Sequence, residues 1–328
     1  MIRGYLHSLY DHSVTTWNRF WFAPQDCASL SVMRIVTGLL LFYSHLVWAM
    51  NSASFFGSNS WLSQDAASTI QSESFSYSLL WLIDGLPGAI SAVHCCALLS
   101  AALLIVGFYS RTAAIAAFVF TVSFANRNPT ALYGFDQVLG FLTLYLSISP
   151  GEARFSLTSW RLRKKHIRPM TASVSANIAL RLIQSHLCLL YLVSGLAKLK
   201  GLTWWSGVAF WGAVGNLEYQ TIDLTWMVDW PITINVLTYT VLIWEISYCF
   251  LVWNRWLRPI VIAMAIPVHL GIALCFGMIT FGLVMLAANL AFVSPTLIKE
   301  IATRLTNRKL SGPESQRLSG AGARRGFI

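Results

Sequence analysis

The sequence is dominated by apolar runs that approach or reach the length needed to cross a lipid bilayer. A membrane-spanning helix needs about 20 mostly apolar residues. Hydrophobic residues make up 56% of the chain and charged residues only 11%, whereas soluble domains carry about 25% charged residues. Eight segments qualify, of which the third is the shortest: 28–50, 88–107, 112–126, 132–149, 178–199, 231–253, 257–276 and 278–298. We therefore expect an all-α, polytopic integral membrane protein whose helices form a bundle.

Composition divides the chain into three parts. Residues 1–26 are polar and aromatic and lack the apolar core of a secretory signal, so we expect an amphipathic helix on the membrane surface. Residues 27–298 hold the apolar runs and form the expected transmembrane domain. Residues 299–328 are basic, and we expect a disordered cytoplasmic tail. The aromatic segment 203–213 is too short to cross the bilayer, which suggests an interfacial or re-entrant piece.

Loop charge predicts the orientation of the bundle. The loops at 51–87 and 201–230 contain no Lys or Arg and carry three acidic residues each, whereas residues 150–176 and the part after Ile298 carry six and seven basic residues. Basic loops stay in the cytoplasm. Eight spans with both termini in the cytoplasm satisfy every loop except the one holding Arg127. Because these basic clusters lie beside spans, the net charge of +10 indicates contact with membrane lipid and does not indicate nucleic acid.

Lys198, near the end of the fifth apolar run, is the most unusual residue for a bilayer. An ionisable side chain inside a span generally faces a protein interior or a wet cavity, although a lysine at a span end can also extend to the headgroups. Gln184, Tyr191 and Lys198 are spaced by seven residues and share one helix face, with Gly195 one turn away. This polar face favours a Lys198 that points inward, where desolvation makes an amine a candidate general base.

The remaining intramembrane polar residues fall into two layers when depth is estimated at about 1.5 Å per residue. Arg34, Arg181 and Glu245 lie toward the cytoplasmic side, where opposite charges predict a structural ion pair or, as the sharper alternative, a proton path. The outer layer predicts a polar cavity and comprises His45, His94, Asn126, Asn128, Asp136, Lys198 and His269. No HExxH motif, CxxC motif or His pair at i, i+4 is present in a span, so no metal site is expected.

Several ordered motifs give the chain a resemblance to a known family. The blocks are Arg34–Gly38, Gly107–Arg111, Leu132–Gly134, Tyr191–Lys198 followed by Trp204, Trp205 and Gly207, then Glu245, His269, Phe276, Phe281, Val284–Ala287 and Ser294–Pro295. Together they resemble the transmembrane domain of vitamin K-dependent γ-carboxylases and their bacterial relatives, the HTTM (horizontally transferred transmembrane) domain. The resemblance covers about residues 25–296 and implies a location in the inner membrane of a bacterium.

The resemblance implies a specific chemistry. In the carboxylases a lysine acts as base on reduced vitamin K, and that lysine falls on Lys198; a span histidine falls on His269. A reduced quinone is therefore the substrate or cofactor that the resemblance suggests. The carboxylases carry Asn-His where this chain has Asn128-Pro129, and Asp136 is the nearby candidate to replace the missing imidazole. We expect the substrate to contact Tyr191, Gly195, Asn128, Trp204 and Trp205, with segment 203–213 as a lid.

Three functions remain open at this point. The first is a carboxylase-like or oxidoreductase-like membrane enzyme that acts on a quinol or another lipid-soluble substrate. The second is a non-catalytic membrane subunit that works with a protein partner supplying the soluble domain found in carboxylases, as in maturation or export of a secreted peptide. The third is a small-molecule or proton transporter, to which the absence of obvious internal repeats gives little support.

Overall fold

The computed structural model describes residues 2–310, except 58–59, 73–75, 84–85 and 87. The fold is all-α, as expected. The helices are α1 Ile2–Phe22, α2 Ala28–Met50, α3 Ser52–Phe56, α4 Gln64–Ile70, α5 Ala89–Val106, α6 Ser110–Arg127, α7 Gly134–Ile148, α8 Leu157–Lys164, α9 Val174–Lys198, α10 Leu202–Trp205, α11 Ala209–Val214, α12 Pro231–Leu251, α13 Arg258–Cys275, α14 Ile279–Asn289 and α15 Pro295–Leu310. Short 3₁₀ segments lie at Leu79–Leu82, Pro129–Ala131, Gly151–Ala153, Thr225–Asp229 and Leu290–Phe292.

All eight apolar segments contain a helix, but they do not all have the length of a membrane span. Five described helices are long and apolar enough to cross a membrane, namely α2, α5, α9, α12 and α13, and a sixth results if α14 and the helix after it are counted as one broken span. Helix α7 has 15 residues, which at 1.5 Å per residue gives about 22 Å. The hydrocarbon core is about 30 Å thick, so the structure supports five to six spans.

The ends of the chain differ in part from the expected division. The predicted interfacial segment is helix α1, which docks on α9 because Asn177 and Arg181 both donate side-chain hydrogen bonds to the Phe20 carbonyl, at 2.8 and 3.2 Å. That α1 lies on the membrane surface stays a prediction. A separate unit begins at Val293, and its residues 299–310 belong to helix α15. The rest of the expected disordered tail, 311–328, lies outside the described residues.

A short antiparallel pair of strands anchors the start of the bundle. Strand β1, Gln25–Asp26, pairs with β2, Ala172–Ser173, directly before α2 and α9 begin. The Asp26 carboxylate forms an ion pair with Arg154 at 2.9 Å. These contacts fix the starting points of two long helices relative to each other.

Arg34 holds the same end of the bundle together from inside. Its side chain is fully buried in α2 and donates to four main-chain carbonyls, those of Gly151 (3.0 Å), Ile105 (2.7 Å), Phe155 (2.7 Å) and Leu104. Two of these carbonyls belong to the last turn of α5, whose final carbonyls have no partner within the helix. A planar guanidinium with five N–H donors suits this task because a single side chain can serve several acceptors.

Arg34→Met should therefore destabilise the bundle strongly. Each buried carbonyl left without a donor costs about 1–3 kcal/mol, so we expect a loss of at least about 3 kcal/mol in the free energy of unfolding. Thermal unfolding of the purified protein in detergent measures the effect, and Arg19→Gln, at an exposed position of α1, is the control. Equal melting temperatures for the two variants would contradict this role for Arg34.

Candidate functional site

Lys198 ends helix α9 and forms an ion pair with Glu245 of α12. The distance from Lys198 Nζ to Glu245 Oε2 is 2.5 Å. Lys198 Nζ also donates to Ser194 Oγ at 2.8 Å, and Ser194 Oγ donates to the same carboxylate oxygen at 3.3 Å. The side chains of Lys198 and Glu245 are 23% and 11% exposed. The amine thus faces the protein interior, and a carboxylate of a neighbouring helix balances its charge.

Gly195 allows α9 and α12 to come close enough for this pair. A Cβ atom at position 195 would lie 2.7 Å from Ile246 Cγ1, 3.2 Å from the Ile246 backbone nitrogen and 3.3 Å from Glu245 Cβ. Small residues at a helix interface let backbones approach closely inside a membrane. The last turn of α9 therefore packs directly against the turn of α12 that carries Glu245.

Lys198 consequently lies within the bundle and far from the start of α12. Glu245 is fourteen residues from the start of α12 at Pro231, or about 21 Å along the helix axis. Helix α9 stops beside Glu245, and α10 and α11 take its place against the rest of α12. Hydrogen bonds hold this segment: Phe210 N to Thr238 Oγ1 (3.1 Å), Asn235 Nδ2 to Gly207 O (2.9 Å) and Tyr239 Oη to Trp205 O (2.7 Å).

A cavity of about 450 Å³ opens beside the ion pair. It lies between α12 and α13, and α11 covers one side of it. Its lining is mainly aromatic and aliphatic and comprises Lys198, Trp204, Ala209, Phe210, Ala213, Val214, Leu237, Thr238, Thr240, Val241, Glu245, Met264, Pro267, Val268, Gly271, Ile272, Cys275 and Phe276. Lys198 and Glu245 are its only ionisable lining residues apart from Cys275 among the described residues. The Lys198 ammonium lies 5.4 Å from the centroid of the Trp204 ring, within range of a cation–π contact.

A second polar cluster, entirely buried, connects four helices behind the cavity wall. Tyr248 Oη donates to Asn289 Oδ1 at 2.8 Å, Asn289 Nδ2 donates to Tyr191 Oη at 2.9 Å, and Tyr191 Oη lies 2.6 Å from His269 Nε2. Either the Tyr191 hydroxyl or His269 Nε2 donates in this contact, according to the imidazole tautomer. His269 Nδ1 is buried without a described partner.

The expected catalytic and substrate-binding residues do not all meet at one site. Lys198 and Trp204 line the cavity, and Gly195 and Tyr191 lie behind the ion pair. No described hydrogen bond joins His269 to Lys198. The carboxylate of Asp136 accepts from the backbone nitrogen of Tyr133 at 3.1 Å and caps the start of α7.

Two further expected contacts lie outside the cavity lining. Asn128 accepts a hydrogen bond from Thr130 at 2.9 Å, and its Nδ2 is buried without a described partner. Trp205 is 63% exposed and donates to the Leu199 carbonyl at 2.7 Å. Neither residue lines the cavity.

The expected ion pair of Arg34, Arg181 and Glu245 is wrong in its pairing. Glu245 binds Lys198, Arg34 binds main-chain carbonyls, and Arg181 binds the Phe20 carbonyl and Gln184 Oε1 (2.9 Å) while its guanidinium lies 4.2 Å from the Phe20 ring centroid. The depth estimate assumed that helices start and stop at common levels. Helix α9 ends beside the last third of α12, which brings Lys198 to Glu245.

Sequence reasoning missed three residues of the site. Ser194, Asn289 and Tyr248 are not among the residues that the sequence singles out. Asn289 is a polar amide in an apolar stretch of α14 and is 3% exposed. A single amide within an apolar run is the sequence feature that could have identified it as part of a buried polar cluster. His45 and His94, in contrast, form part of an aromatic cluster with Phe124, on which His94 stacks at 4.1 Å between ring centroids.

Comparison with protein-family models gives a match over most of the chain. Residues 22–296 match the family model of the HTTM domain. Neither a search of curated proteins nor a search of solved structures found a match. In the part of the chain that the structure describes, no group of three or more His, Cys, Asp or Glu side chains could hold a metal ion.

Gly195→Ala should weaken the contact on which the ion pair depends. The added methyl group would overlap Ile246, and overpacking of this kind costs about 1–3 kcal/mol. Gly140→Ala in α7 is the matched control, because a Cβ atom there meets nothing within 4 Å and alanine favours a helix by about 1 kcal/mol over glycine. In thermal unfolding, the melting temperature of Gly140→Ala should equal or exceed that of the wild type, and that of Gly195→Ala should be lower. The reverse order would refute the close approach of α9 and α12.

Proposed function

The chain belongs to the HTTM domain family, and on that premise we propose that it is a membrane enzyme that accepts the proton of a hydroxyl on a lipid-soluble substrate such as a quinol. It is an integral membrane protein related to the transmembrane domain of the γ-carboxylases. The observation that carries the proposal is the Lys198–Glu245 ion pair at the wall of an apolar cavity. The lysine expected from the resemblance is the one that reaches the cavity.

The cavity has the composition of a small-molecule site. Ligand pockets typically have volumes of about 300–1,000 Å³, with mainly apolar walls and a few placed polar groups. About 450 Å³ lined by Trp204, Phe210, Phe276 and aliphatic side chains suits a flat aromatic ring. The ion pair at one wall suits a hydroxyl on that ring. Since the walls offer apolar contacts and one polar pair, a hydrophobic molecule with a single polar edge fits best.

The ion pair can accept a proton without creating an unbalanced charge. An ammonium cannot act as a base, so Lys198 must first pass a proton to Glu245, which leaves a neutral amine and a neutral carboxylic acid. The amine then takes the hydroxyl proton of the substrate. The end state contains a Lys198 ammonium beside the substrate oxyanion, and a protonated Glu245. One ion pair replaces another, and this matters because an isolated charge in a low-dielectric site is very costly.

Ser194 and Trp204 support these steps by position. Ser194 Oγ contacts both Lys198 Nζ and Glu245 Oε2, so it holds the two groups in line for the transfer. The Trp204 ring faces the ammonium and favours the charged lysine of the end state. His269 and Asp136 stay predictions as catalytic helpers, because the described contacts of His269 run to Tyr191 and those of Asp136 to the start of its own helix.

Binding of a soluble naphthoquinol or naphthoquinone analogue tests the proposal directly. The full chain in nanodiscs should bind the analogue, as followed by quenching of tryptophan fluorescence. Lys198→Met should weaken binding at least about tenfold, because loss of one charged hydrogen-bond partner costs about 1.5–3 kcal/mol. Lys200→Met is the matched control, since Lys200 is exposed and does not line the cavity.

A second variant separates loss of the site from loss of the fold. Ala213→Phe fills the cavity from α11 without altering the ion pair, so it should abolish binding while the melting temperature stays close to that of the wild type. Undiminished binding by Ala213→Phe and Lys198→Met would exclude this cavity as the substrate site. If the purified chain binds the quinol analogue but does not convert it chemically, the result would favour the second function, a subunit that depends on a protein partner.

We also propose eight crossings with both termini in the cytoplasm, in a bacterial inner membrane. The alternation of basic and acidic loops supports this orientation. It puts the acidic loop after α11 outside and the basic helix α8 inside.

Cysteine labelling tests this orientation. In a chain whose native cysteines are replaced by alanine, Glu218→Cys should react with a membrane-impermeant thiol reagent in spheroplasts, and Arg163→Cys should react only after permeabilisation. Both positions are exposed. Labelling of both from the same side would overturn the proposed orientation.

A further inference from the structure

Helix α8 and the turn between α5 and α6 form a basic surface that the proposed function does not use. A shallow depression is lined by Phe108 of the turn, by Thr158, Arg161, Leu162 and Lys164 of α8, and by Lys165 directly after it. The Arg161 guanidinium lies 4.8 Å from the centroid of the Phe108 ring. The two chain segments are about fifty positions apart in sequence, so the depression is a feature of the fold.

The surface is held rigidly. Thr158 Oγ1 donates to the Gly107 carbonyl at 2.9 Å, and the Arg34 guanidinium joins the carbonyls of Ile105 and Phe155 at 2.7 Å each. Gly107 has a left-handed backbone (φ 69°), and a side chain there would overlap Ser156. These contacts fix α8 on the end of α5, so the cations are positioned before any ligand arrives, which lowers the entropic cost of binding.

The cations of this surface form no ion pair with a described carboxylate. The sequence contains no acidic residue between Glu152 and Glu218. Arg154 is paired with Asp26. Among the described residues, no carboxylate forms an ion pair with the other basic side chains of this segment, which are Arg161, Arg163, Lys164, Lys165 and Arg168. Within the part of the chain that the structure describes, these cations are therefore available to an external anion.

An apolar depression borders the basic one. It is lined by Ile105, Val106, Phe155, Ser156, Leu157 and Trp160. Trp160 and Phe155 are 52% and 40% exposed, and the Lys164 ammonium lies 4.1 Å from the centroid of the Trp160 ring. Both depressions lie at the end of α5, a candidate membrane span, where aromatic side chains commonly mark the bilayer interface.

We propose that this surface is a specific site for an anionic phospholipid. Arg161, Lys164 and Lys165 bind the phosphate of the headgroup, and the start of an acyl chain lies against Val106, Phe155 and Trp160. The adjacent apolar depression selects a lipid over a soluble phosphate, because only a lipid fills both. Diffuse attraction to the membrane would involve all five of these cations equally. The specific site involves only three of them, because Arg163 and Arg168 do not line the depression.

Native mass spectrometry of the full chain, released from detergent with short-chain phosphatidylglycerol or phosphatidylcholine, tests the site. Phosphatidylglycerol should give one tightly bound adduct that phosphatidylcholine does not match. Arg161→Gln/Lys164→Gln should weaken that adduct about tenfold or more, as expected from the loss of two cations near a phosphate. Arg163→Gln/Arg168→Gln removes the same charge from the same segment and should change binding less than about twofold.

Each result decides the proposal. Equal weakening by the two double variants would show diffuse attraction and overturn the specific site, as would binding unaffected by either. Phosphatidylglycerol binding abolished by millimolar inorganic phosphate would point to a soluble anion instead. Trp160→Ala should lower lipid binding and leave the melting temperature unchanged; full lipid binding by that variant would remove the acyl-chain contact from the proposal.

Discussion

The ion pair between Lys198 and Glu245 is the interaction on which the site depends. Both groups lie inside a helical bundle, where a single unpaired charge is very costly. Each therefore needs the other, and Gly195 supplies the close helix contact that lets them meet. Because α9 stops beside Glu245, the remaining length of α12 is left without that neighbour. Helices α10 and α11 and the cavity occupy the space that this early stop creates.

The sequence predicted the architecture well because apolar length is a strong constraint in a membrane. Every apolar segment contains a helix, and the polar face of Gln184, Tyr191 and Lys198 correctly pointed inward. The number of crossings is harder to predict, because α7 and α14 are shorter than the bilayer core and composition alone does not reveal where such helices sit.

The pairing of charges was less predictable for a physical reason. Depth estimates from span borders assume that all helices begin and end at the same depth in the membrane. Helix α9 ends beside Glu245, so Lys198 and Glu245 lie at the same depth although the sequence placed them in different layers. Arg34 binds main-chain carbonyls. Every residue has such a carbonyl, so the sequence does not indicate which ones Arg34 binds. The same holds for Asp136, whose partner is the backbone nitrogen at the start of its own helix.

The two ends of the bundle thus have different tasks. At one end, Arg34 and the β1–β2 pair fix the starts and ends of α2, α5, α8 and α9, and this rigid platform presents a basic surface suited to lipid headgroups. Toward the other, the Lys198–Glu245 pair and the buried Tyr191–His269–Asn289–Tyr248 cluster hold α9, α12, α13 and α14 around an apolar cavity. In both regions, hydrogen bonds and ion pairs between buried polar groups of different helices position the surface or cavity.

A double-mutant cycle on thermal unfolding at Lys198 and Glu245 tests the central interaction most directly. Lys198→Met should destabilise the protein by about 3 kcal/mol, because it leaves the buried Glu245 carboxylate without its partner. Glu245→Met should destabilise it less, because the Lys198 side chain is 23% exposed. The double variant, which buries no charge, should recover most of that loss. Losses that simply add in the double variant would mean that the two side chains act independently, and the account of the site would then be wrong.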